Sequence, residues 1–301
     1  MLINFNIMNR NVEIKNILIP TDFSETANVA VEHGVIMAKL FQAKIYLFHS
    51  IEPNIYMLAS PMSMLGATDV SDRIYPMKQI LDIGAKSMIN KYGIDVETVI
   101  SGGRPALGIA QAVKDKEIDL IMMGTHGANG AQEFFIGSNT HKVVNLSPCP
   151  VLTIPLYSKI TGFKEIVLPI DNTLHSRQKV NHVIAIALRY GSTVHILGLP
   201  NGLDKEDLNK FDIKLNSIIH LLQKNNINYT SEKADGNNLA VETLKYAEKH
   251  KSDLIAIMTE HESAMTGMFL GIFAKQIVNH SKIPVLSIRP MEAVAGYESF
   301  S

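Results

Sequence analysis

Short, uninterrupted apolar runs alternate along this chain with longer segments whose apolar residues recur every three or four positions. NILIP (16–20) is such a run, as expected of a strand covered on both faces. It ends at Pro20, and DFSE then offers a helix start, with Asp22 or Ser24 as the cap and Glu25 favouring the first turn. Val31, Val35 and Ala38 recur at helical spacing up to Phe41, and KIYLFHS (44–50) reads as a second strand. The pattern continues with a helix from about Asp72 to Tyr92, strand DVETVIS (95–101), helix PALGIAQAVKD (105–115) and strand DLIMMG (119–124). A glycine-rich loop, helix SNTHKVVNLS (138–147) and strand PVLTI (150–154) close the series. Five strands alternating with helices predict a parallel sheet with right-handed crossovers, an open doubly wound (Rossmann-like) α/β domain. Ligands of such sheets bind beyond the carboxyl ends of the strands, where the strand order reverses.

The pattern is written twice. KNILIPTD (15–22) has a counterpart in KEIVLPID (164–171), and AKIYLFH (43–49) in STVHILG (192–198), both at an offset of 149. DLIMMGTHG (119–127) pairs with DLIAIMTEH (253–261) at an offset of 134, which continues through Gly137 and Gly271 to SPCPVLTI and SKIPVLSI. The first copy therefore carries fifteen extra residues, placed in the Met- and Pro-containing stretch at 52–69. Two repeated five-stranded domains are expected, 1–157 and 158–301. Their last strands, PVLTI (150–154) and PVLSI (284–288), are apolar templates for pairing if left at an open sheet edge.

Composition narrows the partners. The formal net charge is −1, from 28 basic and 29 acidic residues. With no basic block, a nucleic-acid partner is not expected. The single cysteine, Cys149, excludes an intrachain disulfide and cysteine-based zinc frameworks, and its place in SPCPVL suggests a buried, unreactive thiol. The N-terminus has no signal-peptide core and no apolar stretch reaches bilayer length, so a cytoplasmic protein without a membrane partner is expected.

Chemistry concentrates in GTHGANGAQEFFIGSN (124–139), where four glycines fall within sixteen residues. Gly124 closes a strand and Ser138 opens a helix. A loop so placed can aim backbone N–H groups at an anion, aided by the partial positive charge of the helix terminus. The Ser138 hydroxyl would either cap that helix or donate to a phosphate. No Lys follows Gly137, so this is not a P-loop, and the first strand is followed by PTDFSE rather than by GxGxxG. GxSxG, HExxH and EF-hand patterns are also absent. On spacing alone, a phosphate site and a simple turn-rich connection stand about even.

The spacing Gly124-x2-Gly127-x9-Gly137-Ser138 resembles the G-x2-G-x9-G-[ST] nucleotide motif of the universal stress protein family. ILIPTDFSETANVAVEHG, LFHS and SPCPVLTI resemble it in order and spacing, and the resemblance covers both halves of the chain. It implies ATP or ADP binding with Mg²⁺, and dimerisation through the last strand, which two copies in one chain satisfy as an intrachain pseudo-dimer, with a homodimer also open. By the same resemblance Gly124, Gly127, Gly137 and Ser138 hold ribose and phosphates; His126 lies inside the motif, either as a ligand contact or as a variable loop residue, and Asn139 is a further candidate contact. Pro20, Thr21 and Asp22 line the nucleotide site, Asp22 reaching Mg²⁺ through a water. Ser50 stands where the family often has an apolar residue against adenine, and Met123 flanks base or ribose.

Other residues carry plainer readings. Asp22 has a competing role as a helix cap. His33 and His49 read as structural, Phe134 and Phe135 as packing the loop, and Met57, Met62 and Met64 as a lid or partner surface. The resemblance implies an ATP-binding regulatory protein of stress physiology, and the sequence shows no nucleophile–base pair or paired carboxylates that would point to an enzyme. A slow ATP hydrolase or adenylating enzyme and a ligand-free interaction module are the alternatives. In the second copy Met258, His261 and Ile272 stand opposite Gly124, Gly127 and Ser138, so nucleotide binding there is not expected. If the lost positions need positive φ, each non-glycine residue costs about 1–2 kcal/mol. Asp171 remains there as a lone carboxylate.

Overall fold

A computed structural model describes residues 12–52, 70–127, 136–173, 175–259 and 270–290. The Met57, Met62 and Met64 cluster, Gly130, Phe134, Phe135 and His261 lie outside these described residues.

The first domain runs β1 (Asn16–Pro20), α1 (Glu25–Phe41), β2 (Lys44–Ile51), α2 (Val70–Tyr92) and β3 (Val96–Gly102). It continues with α3 (Pro105–Asp115), β4 (Leu120–Gly124), α4 (Ser138–Leu146) and β5 (Val151–Ile154). The second repeats it as β6 (Glu165–Ile170), α5 (Val180–Tyr190), β7 (Thr193–Gly198), α6 (Lys205–Lys224) and β8 (Asn228–Lys233). It ends with α7 (Leu239–Lys249), β9 (Leu254–Met258), α8 (Ile272–His280) and β10 (Val285–Ile288). Of the fifteen extra residues of the first copy, three lengthen α2, which has 23 residues against 20 in α6. The other twelve lie in the β2–α2 connection.

Local chemistry repeats with the chain. Asp119 accepts backbone N–H groups of Lys15 and Asn16 at 2.8 and 2.9 Å, and Asp253 does the same for Lys164 and Glu165 at 2.8 and 3.0 Å. Ser147 and Ser281 each donate to the carbonyl two residues on, at 2.7 Å, and each accepts that residue's N–H at 3.2 Å. The Cys149 beside Ser147 is half-buried, and burial pushes its thiol up to about 11, as expected of an unreactive cysteine.

The strands form one ten-stranded sheet in the order β3-β2-β1-β4-β5-β10-β9-β6-β7-β8. Within each domain every pairing is parallel. Among the described residues the one antiparallel pairing joins the domains, with Val151, Leu152 and Thr153 opposite Ser287, Leu286 and Val285. Each terminal strand thus has neighbours on both sides, and this pairing leaves neither edge for a second chain. Alternate strand residues serve opposite faces. Ile17, Ile19, Leu120 and Met122 pack with apolar residues of α1, α2, α5 and α6, whereas Leu18, Ile121 and Val151 pack with those of α3, α4, α7 and α8. Among the described residues no helix is long and apolar enough to cross a membrane.

The linker between the domains is pinned from α1. His33 is 3% exposed. Its Nε2 lies 2.8 Å from the Ser158 hydroxyl, and its ring stacks on Phe163 with centroids 5.8 Å apart. Phe163 in turn meets Tyr190 edge-on at 5.2 Å. His33 is therefore structural, and burial pulls its pKa down to about 4. Unfolded, the imidazole takes a proton near pH 6.5, while the folded protein resists until about pH 4. Stability is therefore full above pH 6.5 and is lost as the pH falls towards 4, with a ceiling of roughly 3 kcal/mol. Urea unfolding of a His33→Gln variant should show a flatter dependence between pH 7 and 4.5 than the parent chain. Equal slopes would remove His33 from this role.

Candidate functional site

Where β1 and β4 lie side by side, the strand order of the first domain reverses. A cavity of about 470 Å³ opens there, at the carboxyl ends of β1, β2 and β4 and against the N-termini of α3 and α4. Pro20, Thr21, Asp22, Ser50, Met123, Gly124, His126, Gly127, Gly137, Ser138 and Asn139 all line it, although they are up to 119 positions apart in the chain. Six further residues do so as well: Ala27, Phe48, His49, Pro105, Ile109 and Thr140. The first-strand PTD and the glycine spacing signal the polar members. The wall of Phe48, Pro105 and Ile109 carries no such signal, since it reads along the chain as ordinary core.

Main-chain bonds set the shape of this mouth. Thr21 N–H donates to the Phe48 carbonyl at 2.8 Å, and His49 Nδ1 bonds the Thr21 carbonyl at 2.7 Å. His49 thus ties β1 to β2, a structural task at the rim. Ser24 is the N-cap of α1, accepting from Ala27 N–H at 3.2 Å. Asp22 is accordingly not the cap. Its Oδ1 accepts Ser24 N–H at 3.0 Å in a local turn. Phe23 between them adopts a left-handed φ of 63° with its ring 5.0 Å from that of His49. For a phenylalanine this conformation costs about 1–2 kcal/mol.

None of the three described motif glycines has positive φ. The reason for them is close approach. A Cβ on Gly124 would stand 2.7 Å from Thr26 Cγ2 and 3.1 Å from the Thr26 backbone. One on Gly127 would stand 2.6 Å from Asp22 Oδ2, and one on Gly137 3.3 Å from the Thr125 carbonyl. The expected penalty for non-glycine residues at positive φ therefore does not apply. The glycines let α1, the Asp22 carboxylate and the returning loop crowd one another.

Helix α4 begins at this cavity with no side-chain cap from its own N-cap residue. Gly137 occupies the N-cap with φ −58° and ψ 146°, and Ser138 is the first helical residue, so its hydroxyl does not cap the helix. The first turn's N–H groups have no intrahelical acceptor by construction. The terminus is held in place by Gly137 N–H donating to the Thr125 carbonyl at 2.7 Å and by Thr140 Oγ1 donating to the Gly124 carbonyl at 3.0 Å. His126 contributes Nδ1 to the Thr125 hydroxyl at 2.9 Å, and its Nε2 has no partner among the described residues. No Lys or Arg is among the described lining residues. One wall is apolar, and the opposite side offers N–H groups, hydroxyls and the Asp22 carboxylate. Such a cavity suits a ligand with a flat apolar part and an anionic part, and the carboxylate suits a hard cation shared with that anion.

The second copy is built differently at the matching place. Met258, opposite Gly124, is buried, and Ile272, opposite Ser138, opens α8 with its side chain 68% exposed. Gly271 keeps the N-cap geometry, with φ −56° and ψ 152°. Asp171 is not a lone carboxylate. Its Oδ1 accepts Thr173 N–H at 2.9 Å and Oγ1–H at 2.6 Å, and Ser176 Oγ bonds both Asp171 N–H at 3.1 Å and Lys179 Nζ at 3.2 Å. Burial pushes the Asp171 carboxyl up, but the Lys179 charge and the Thr173 and Ser176 hydrogen bonds outweigh it and hold the pKa below its ordinary value. Lys179 is 2% exposed. The first copy has Ala30 at that position, so the lysine's charge is peculiar to the second.

The glycine contacts predict unequal substitutions. Gly124→Ala meets rigid backbone and should destabilise the chain by about 1–3 kcal/mol in urea unfolding. Gly127→Ala meets only the far end of the Asp22 side chain and should cost clearly less. Equal losses would contradict the close-approach account.

Comparison with known proteins agrees with this architecture. The profile of the universal stress protein family matches residues 13–155 and 162–289. A universal stress protein of Methanocaldococcus jannaschii is 30% identical over 157 residues, which are 51% of this chain and 89% of that protein. One from Bacillus subtilis is 30% identical over 145 residues, 46% of this chain and 96% of that protein. The crystal structure of a universal stress protein from Archaeoglobus fulgidus shares the fold, with a TM-score of 0.71 at 18% identity over 91% of this chain and 98% of that one. With both halves matched by the family profile, this chain belongs to the universal stress protein family, as a tandem member carrying two such domains.

Proposed function

We propose that the first domain binds an adenine nucleotide, ATP or ADP, together with Mg²⁺, and that the protein acts as a nucleotide-responsive regulator in the stress response rather than as a dedicated enzyme. One observation carries this reading. Eleven residues picked out by the motif and its flanking segments converge on a single cavity at the switch point of the sheet. The start of α4, whose N-cap is a glycine, offers N–H groups and a partial positive charge to phosphates, which compensates for the lack of Lys and Arg among the described lining residues. Asp22 would repel a bare polyphosphate, so its place in the cavity favours a metal–nucleotide complex, with Mg²⁺ keeping waters between itself and the carboxylate. The apolar wall of Phe48, Pro105, Ile109 and Met123 suits a base. The second domain keeps Gly271 but has Met258 and His261 in place of Gly124 and Gly127, and its matching aspartate is engaged with Lys179, Thr173 and Ser176.

Nucleotide at 100 times its dissociation constant should stabilise the chain by about 2.7 kcal/mol, seen as a thermal shift. The shift should depend on Mg²⁺ in the parent chain and lose that dependence in Asp22→Asn. An absent shift with ATP and ADP would reject the reading. A phosphate-release assay run alongside separates binding from turnover, and sustained release at more than a slow background would favour the hydrolase alternative.

A further inference from the structure

The returning arm of the glycine loop has three described anchors, and one of them comes from the other domain. Gly137 N–H and Thr140 Oγ1 bond carbonyls of the first domain. The N–H of Ile136, the residue just before the N-cap of α4, donates instead to Asn279 Oδ1 of α8 at 3.3 Å. The two helices are neighbours across the domain junction. Val143 and Val144 of α4 share one apolar cluster with Ala274, Ile277 and Val278 of α8, and Ile136 packs against it. The Lys275 charge reaches His141 of α4, whose pKa is lowered by burial first and by Lys275 second.

The repeat makes this bond informative. Asn279 matches Asn145 at the offset of 134, each being the eighth residue of its helix. The matching asparagine does not make the matching contact. Asn145 is 7% exposed, its Nδ2 lies 3.3 Å from His141 Nδ1, and its Oδ1 has no hydrogen-bond partner among the described residues. The copy that has lost the equivalents of Gly124 and Gly127 thus supplies a hydrogen-bond acceptor to the loop of the copy that keeps them.

We propose that Asn279 of the second domain is a positioning residue for the first domain's anion loop, so that the second domain clamps the phosphate-facing start of α4. A displacement of Ile136 carries Gly137 and Ser138 with it, because the three are consecutive and Ser138 opens the helix. The clamp changes how well the loop holds the phosphate part of a ligand and leaves the apolar wall untouched. Asn279 touches no part of the cavity itself and acts through Ile136.

The affinity arm of the test rests on the nucleotide reading above, while the exchange arm does not. In the ligand-free full-length chain, Asn279→Leu should speed amide hydrogen exchange at Ile136 about five-fold, the size expected when one hydrogen bond is lost. Asn279→Asp, which keeps an acceptor oxygen, should restore protection. The Leu variant should also bind ATP with Mg²⁺ about five-fold more weakly and adenosine no differently. Unchanged exchange at Ile136 would overturn the clamp, whatever the ligands do. An equal loss for ATP and adenosine would overturn the phosphate-specific role and leave only general loosening. If the parent chain binds neither ligand, the nucleotide reading fails and the exchange result alone decides the clamp.

Discussion

The antiparallel pairing of Val151–Thr153 with Val285–Ser287 is the contact on which the rest of the arrangement depends. A short apolar strand at the edge of a sheet leaves a row of backbone groups unpaired and an adhesive surface exposed. Joining the two last strands removes both edges at once and fuses two five-stranded sheets into one of ten strands. The cost is geometric. Because α4 and α8 precede the paired strands, their side chains must share one apolar cluster at the junction. That proximity lets a residue near the end of α8 reach the start of α4. It also requires a linker to cross from one sheet to the other, and His33, Phe163 and Tyr190 fix that linker against α1 and α5.

The two domains have diverged within this frame in ways the frame permits. Carboxylates that hold the beginnings of β1 and β6, and the serines before β5 and β10, have kept their bonds, since they serve the sheet. The carboxyl ends of the strands have not. In the first domain glycines let α1, Asp22 and the loop approach one another around an open cavity. In the second a methionine stands at the first glycine position, and a buried lysine draws the aspartate into an internal network. The internal Lys179 cation balances the Asp171 carboxylate there.

Much of this was legible in the sequence because it rests on local signals. Continuous apolar runs marked both copies of each buried strand, and Gly124, Gly127, Gly137 and Ser138 marked the cavity. The repeat offsets revealed fifteen extra residues in the first copy, of which twelve lie between β2 and α2 and three lengthen α2. What the sequence hid depends on contacts distant along the chain. Asp22 and Ser24 are both acceptable caps, and only backbone geometry shows that Ser24 takes the role. The sequence left open whether the glycines serve a positive φ or a close approach, and only the structure shows that they are sites of close approach to Thr26, Asp22 and Thr125. Phe48 and Ile109 looked like core and also form a wall of the cavity. Lys179 and Asn279 carried no motif at all.

We have proposed that one domain of this tandem protein holds a nucleotide and that the other supports it. Isothermal titration calorimetry of the full chain with ATP in the presence of Mg²⁺ tests it most directly, because the stoichiometry counts sites without assuming where they lie. A single class of sites with one nucleotide bound per chain is the expected result. Two equivalent sites per chain would contradict it.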